Sequence, residues 1–150
     1  MFEDYVKQEK ARNRKRRQLG TRTPKCYLCG QTESLVLVKR ILCSECDRRA
    51  TGQTGFENHH MAGRHNDSST VRVPRNVHQL LTHLQQQDWP VETLRNPTGD
   101  PVLKMAATIR SAFNLVTVVN KHLLGWIPAF LERLSKHLVE KLGPEWWKDI

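Results

Sequence analysis

Phe56-Glu57-Asn58-His59-His60-Met61-Ala62-Gly63-Arg64-His65-Asn66-Asp67, followed by Val71-Arg72-Val73-Pro74-Arg75-Asn76-Val77-His78, holds four of the chain's seven histidines, and a fifth, His83, lies just beyond. Histidine serves as metal ligand or general base because its pKa lies near neutrality and its two ring nitrogens can take separate partners. Gly52 and Gly55 punctuate the approach. The pattern then predicts a strand over 56–61, a loop over 62–69, a strand over 70–73 and a helix from Arg75 to about Gln87. Val77, Leu80, Leu81 and Leu84 recur at spacings of three and four, enough for one buried stripe. Asp88-Trp89-Pro90 ends that helix, because proline disfavours a helical residue before it.

Upstream, Cys26-Tyr27-Leu28-Cys29 and Cys43-Ser44-Glu45-Cys46 form two CxxC knuckles with thirteen residues between them. Two such knuckles joined by a hairpin supply the four thiolates of a closed tetrahedral zinc site. With all four positions filled by protein, the metal's role is structural, and a piece this small loses its fold without it. Leu35-Val36-Leu37-Val38 is the strand candidate between the knuckles, and Lys39, Arg40, Arg48 and Arg49 could touch phosphate. Disulfides are disfavoured by the cytoplasmic setting expected below.

The 150 residues are 38% hydrophobic, which suits small modules better than one large core. The net charge of +9 is uneven: residues 1–25 carry nine Lys/Arg against three Asp/Glu. Such a basic run favours a polyanion through counterion release, or else an anionic membrane surface. Arg14, Lys15, Arg16 and Arg17 are its densest part and are expected to bind phosphate. Residues 3–19 lack Pro and Gly and can form a helix, but with little apolar surface to hold it. The charged N-terminus does not resemble a secretory signal, so a cytoplasmic location is expected.

Pro90 to Pro101 contains three prolines and reads as a connecting loop. Two helices are predicted after it, Val102 to Leu123 and Trp126 to Leu142, broken at Gly125 and Pro128 into a packing or dimerisation hairpin. The apolar stretch Ser111–Leu134 is interrupted by Asn114, Asn120, Lys121, His122, Glu132 and Arg133. A membrane span needs roughly 20 mostly apolar residues, so none is expected. His122 and His137 read as ordinary helix residues, and His65 as an exposed loop residue.

Residues 57–78 resemble the HNH, or ββα-metal, nuclease family, and the resemblance covers roughly residues 55–90. The family pattern sets an acidic residue or His before a His on the first strand, an Asn ahead of the second strand and a His at the helix start. Gly63-Arg64 and Asp88-Trp89-Pro90 also resemble a bacterial and phage subgroup. The resemblance implies that His59 and His78 hold a catalytic divalent ion, Mg²⁺ or Mn²⁺ with Ni²⁺ or Zn²⁺ as substitutes, and that His60 is the general base. Asn66, Ser69 and Asn76 compete for the middle position, which orients the base or helps hold the metal. Counted back from the helix, the family's Asn falls on Ser69. Pro74 and Val77 stand where many relatives have a Cys pair, which leaves the upstream knuckles as the only zinc site. Arg64 and Arg75 flank the site as phosphate ligands, and Glu57 is a candidate to hydrogen-bond a ligand histidine. His83, five positions after His78, is turned roughly 140° from it around a helix.

The expected architecture is α+β: a basic arm (1–25), a four-Cys zinc module (26–50), an HNH-like ββα module (51–90) and a C-terminal helical hairpin (91–150). The expected function is metal-dependent hydrolysis of DNA phosphodiester bonds, with RNA also open as partner. Adjacent strand side chains point to opposite faces, so His59 and His60 take different roles only if the strand end bends or bulges. The rival reading is a zinc-containing nucleic-acid-binding module without catalysis, or a subunit that joins a second copy or larger assembly through its C-terminal helices.

Overall fold

The computed structural model describes residues 2–39 and 41–149. It is α+β and mostly helical, with two small two-stranded sheets and a four-cysteine cluster. Two compact units divide the chain, Met1–Leu115 and Val116–Ile150.

The first unit begins with α1, Phe2–Leu19. Its composition offers almost no apolar stripe, and polar ties hold it instead. Gln8 donates to Asp88 at 3.0 Å, and Arg12 Nε lies 3.1 Å from a Glu33 carboxylate oxygen. Leu19, at its end, is buried.

Ser34–Val36 then forms a 3-10 turn rather than the start of a strand, since the Glu33 side chain accepts from Leu35 N and caps it. Strand β1 (Leu37–Lys39) pairs antiparallel with β2 (Leu42–Cys43), and α2 (Ser44–Ala50) follows directly. The second knuckle starts α2, with the Cys43 sulfur accepting from Cys46 N at 3.5 Å.

Strands β3 (Phe56–His60) and β4 (Thr70–Pro74) pair antiparallel in a regular ladder that runs through His59↔Val71 to His60↔Thr70. α3 (Arg75–Asp88) packs on both, and buries Val77, Leu80 and Leu81 on one stripe with Gln85 in line. The turn after β3 needs Gly63, whose φ of +81° is one that a Cβ would strain.

The prolines of 90–101 do not make a featureless loop. Pro90 precedes a short helix, α4 (Val91–Arg95), because proline's fixed φ suits a helix start. Asn96 closes α4 in the left-handed region, φ 39°. α5 (Pro101–Val119) lays Ala107 against Ala62 and Trp89, with Leu94 beside them.

In place of the expected reversing turn, Asn120–Leu124 is π-helical, and Gly125 keeps a right-handed helical backbone. Trp126 is also right-handed helical and leads into α6, Ile127–Leu142, where Pro128 sits in the first turn and is tolerated. The helical run Pro101–Leu142 is, among the described residues, the one stretch long and apolar enough to cross a membrane by length and composition. A 3-10 turn, Trp146–Asp149, ends the second unit.

Candidate metal centre and histidine site

The sulfur atoms of Cys26, Cys29, Cys43 and Cys46 all lie within 4.8 Å of one another. In a tetrahedral zinc site with bonds of about 2.3 Å, sulfurs are about 3.8 Å apart. Cys29 and Cys43 stand at 3.7 Å, so the cysteines fit a metal such as zinc with little adjustment. Among the described residues this is the only group of three or more His, Cys, Asp or Glu side chains whose ligand atoms converge.

Electrostatics point the same way. Burial works against ionising Cys26, but the backbone N–H groups of Cys43, Cys29 and Leu28 outweigh it and lower its pKa to about 6. Burial, and then crowding by neighbouring sulfurs, push Cys46 far up. Burial also leads in raising Cys29. Four sulfurs this close cannot all become thiolates without a cation to offset their charge.

Asn76 locks this cluster to α3. Its amide donates to Cys43 Sγ at 3.3 Å, while its carbonyl oxygen accepts from Glu45 N at 3.1 Å. Both side-chain hydrogen bonds of Asn76 among the described residues therefore go to the cysteine module. Arg75 lies beside it, donating to Ser44 Oγ at 3.1 Å and paired with Glu57.

Strand alternation sets Glu57 and His59 on the face of β3 turned to α3, with His60 opposite. No bulge interrupts the ladder, and His60 is the last residue of the strand, where its charge still acts on both His59 and His78, so the strand end brings the three rings within electrostatic reach without a bulge. The His59 ring is 2% exposed, and its centroid lies 5.2 Å from that of His78, edge to face. Burial, then His78 and His60, lower the His59 pKa to about 4. Burial, then Arg75 and His60, lower that of His78. Both rings are thus neutral at pH 7, the form that binds a metal. His78 Nδ1 is 3.1 Å from Glu57 Oε2, and Glu57 also pairs with Arg48, so this carboxylate links α2, β3 and α3.

His60 is oriented by the backbone. Its Nδ1 lies 3.3 Å from the carbonyl of Asp67, which assigns the proton to Nδ1 and leaves Nε2 free to accept one. Asn66 holds that loop in place: its amide donates to the carbonyls of Ala62 at 2.9 Å and Thr93 at 2.8 Å, and its oxygen accepts from Asn96 at 2.8 Å. Of the three residues competing for the middle position, Asn66 is the one that shapes the loop around His60. Ser69 N takes the Asp67 side chain, at 3.1 Å.

Truncating Asn66 to Ala strips partners from these carbonyls and from Asn96. It is expected to cost about 1–3 kcal/mol. Urea denaturation measures this, and an unchanged midpoint would refute the bracing role.

Gln85 has no sequence signal beyond its place on the α3 stripe. It donates to His59 Nε2 and to the His60 carbonyl, both at 3.1 Å. Metal binding through His59 Nε2 therefore requires the Gln85 amide to turn. Arg64 is exposed, whereas Arg75 is spent on Glu57 and Ser44. Arg48 and Arg49 are likewise engaged, with Glu57 and Glu45. Arg40 and the side chain of Lys39 lie outside the described residues. On α1, Arg16 pairs with Glu9 at 3.1 Å, while Arg14, Lys15 and Arg17 carry no ion pair among the described residues.

Comparison with protein-family models, with curated proteins and with solved structures returns no match.

Proposed function

We propose that this chain is a metal-dependent nuclease of the HNH, ββα-metal type, built beside a structural zinc centre, and that it hydrolyses phosphodiester bonds in DNA. One observation carries the reading: β3 and α3 bring the neutral rings of His59 and His78 to 5.2 Å, next to a His60 whose Nδ1 is held by a backbone carbonyl. His59 and His78 would hold the divalent ion: their imidazoles favour Ni²⁺ or Zn²⁺, and Mg²⁺ or Mn²⁺ would depend on phosphate and water oxygens for the rest of its ligands. The ion supplies charge stabilisation at phosphorus and at the leaving oxygen. His60 Nε2 takes the proton of the attacking water, and Glu57 steadies His78. A cytoplasmic setting and a nucleic-acid rather than membrane partner belong to the same reading.

The test is cleavage of supercoiled plasmid and of single-stranded DNA with Mg²⁺ or Mn²⁺, against the same reactions with EDTA. Ion-dependent cutting is the expected result. No cutting under any of these conditions would retire the nuclease in favour of binding without catalysis. That second reading is favoured by the Gln85 amide at His59 Nε2. In it α6, which buries no residue, offers a surface to a second copy or a larger assembly.

A further inference from the structure

Between α1 and α3 lies a recess of about 330 Å³, lined on one side by Lys7, Lys10, Arg14 and Lys15 and on the other by His83 and Gln87. A second recess of about 340 Å³ continues along α3 past Gln79 and Thr82 to His78 and Arg75. The two share Leu35 and His83 in their lining and lie in succession between the basic face of α1 and the histidine site. We infer that together they form a track that holds the sugar–phosphate backbone of a nucleic-acid strand and delivers it to His78, an inference that rests on the nuclease reading for what the strand meets there.

Charge supports it first. Lys7, Lys10, Arg14 and Lys15 carry no ion pair among the described residues. Of the acids near the recess, Glu9 pairs with Arg12 and Arg16 and Glu33 with Arg12, while Asp88 takes only a hydrogen bond from the neutral Gln8 amide and keeps its charge. The four cations of α1 therefore outnumber the one carboxylate near the recess, Asp88, that has no ion pair among the described residues. Lys7 to Lys15 spans about 12 Å of helix at about 1.5 Å per residue, the axial length of about three nucleotides at about 3.4 Å each.

The α3 wall is polar and carries no carboxylate. Gln79 Oε1 and His83 Nε2 are buried there with no hydrogen-bond partner; with its proton on Nε2 the His83 ring donates to a phosphate oxygen, and the Gln79 amide does the same when turned to present its NH₂. Size alone does not select the track. A larger recess of about 670 Å³ is lined by Asn13, Arg16, Arg17 and Arg22 with Gly20 and Thr21, and it includes no α3 residue and no histidine.

The test compares two neutralised forms of the full, zinc-loaded chain by fluorescence anisotropy with a labelled mixed-sequence DNA, single-stranded and annealed. One carries Lys7→Gln, Lys10→Gln, Arg14→Gln and Lys15→Gln; the other removes the same charge from the second unit with Lys121→Gln, Arg133→Gln, Lys136→Gln and Lys141→Gln, with circular dichroism checking that both keep their helix. The first is expected to bind at least tenfold more weakly, and the slope of log affinity against log salt falls by about 3 on single strands, at about 0.7 per phosphate contact. The second is expected to stay within threefold of the native protein. The oligonucleotide showing the selective loss, single strand or duplex, identifies the strand's source. Equal losses in the two variants, a greater loss in the second, or no binding by the native chain would overturn the track. Selective loss in a protein that never cuts DNA leaves the track standing and removes the nuclease reading. Cutting without selective loss does the reverse.

Discussion

Replacing Cys43 by Ser is expected to empty the four-sulfur site and to cost more than about 4 kcal/mol of stability, the range reserved for lost metals and broken buried networks. Cys43 is fully buried and meets three partners at once: the Cys29 sulfur at 3.7 Å, Cys46 N at 3.5 Å and the Asn76 amide at 3.3 Å. A serine oxygen is shorter and harder, and does not replace a thiolate for zinc. The damage does not stop at the knuckles, because Asn76 stands one turn ahead of Leu80 on the helix that carries His78. Elemental analysis should show one zinc per native chain and none in the variant, with the urea midpoint lowered. Zinc retained in full, or a midpoint that does not move, would show that the four sulfurs are not a structural metal site.

The second large effect is at His60. Under the nuclease reading, His60→Ala lowers the cleavage rate by about 10²–10⁴, the usual worth of a positioned general base. Its ring contributes to no metal centre, and its fixed contact is the Asp67 carbonyl at 3.3 Å. DNA affinity and zinc content should therefore stay at native levels. A variant that cuts as fast as the native chain would remove His60 from the mechanism, and cutting lost together with zinc would mark a folding defect instead.

Much of the fold was legible because its signals are local. The CxxC spacing marks the cysteine cluster, and Val77, Leu80 and Leu81 mark α3 by period alone. What sequence reasoning missed depends on partners far along the chain. Asn76 looked like a candidate for the histidine site, yet its partners Cys43 and Glu45 lie about thirty positions upstream. Gln85 gave no sign that it would sit on His59, 26 positions away. Three prolines drew 90–101 toward a loop and hid α4, although proline before a helix starts one as readily as it ends one. Gly125 and Pro128 suggest a break between two helices, but glycine adopts helical dihedrals freely and proline in a first turn displaces no hydrogen bond. The boundary drawn between residues 50 and 51 cuts through the Arg48–Glu57, Ser44–Arg75 and Cys43–Asn76 contacts.

The amide of Asn76 also bears on how the cysteines age. A hydrogen bond to a thiolate withdraws electron density and blunts its nucleophilicity, and burial keeps oxidants away. Cys43 has both protections, whereas Cys29 is exposed to solvent. Peroxide or an alkylating agent therefore enters at Cys29 before it reaches Cys43, an order that mass spectrometry of partly modified protein would reveal or contradict. Loss of metal under oxidative stress would thus begin at the one exposed sulfur, Cys29, with the sulfur tied to the histidine helix converted after it.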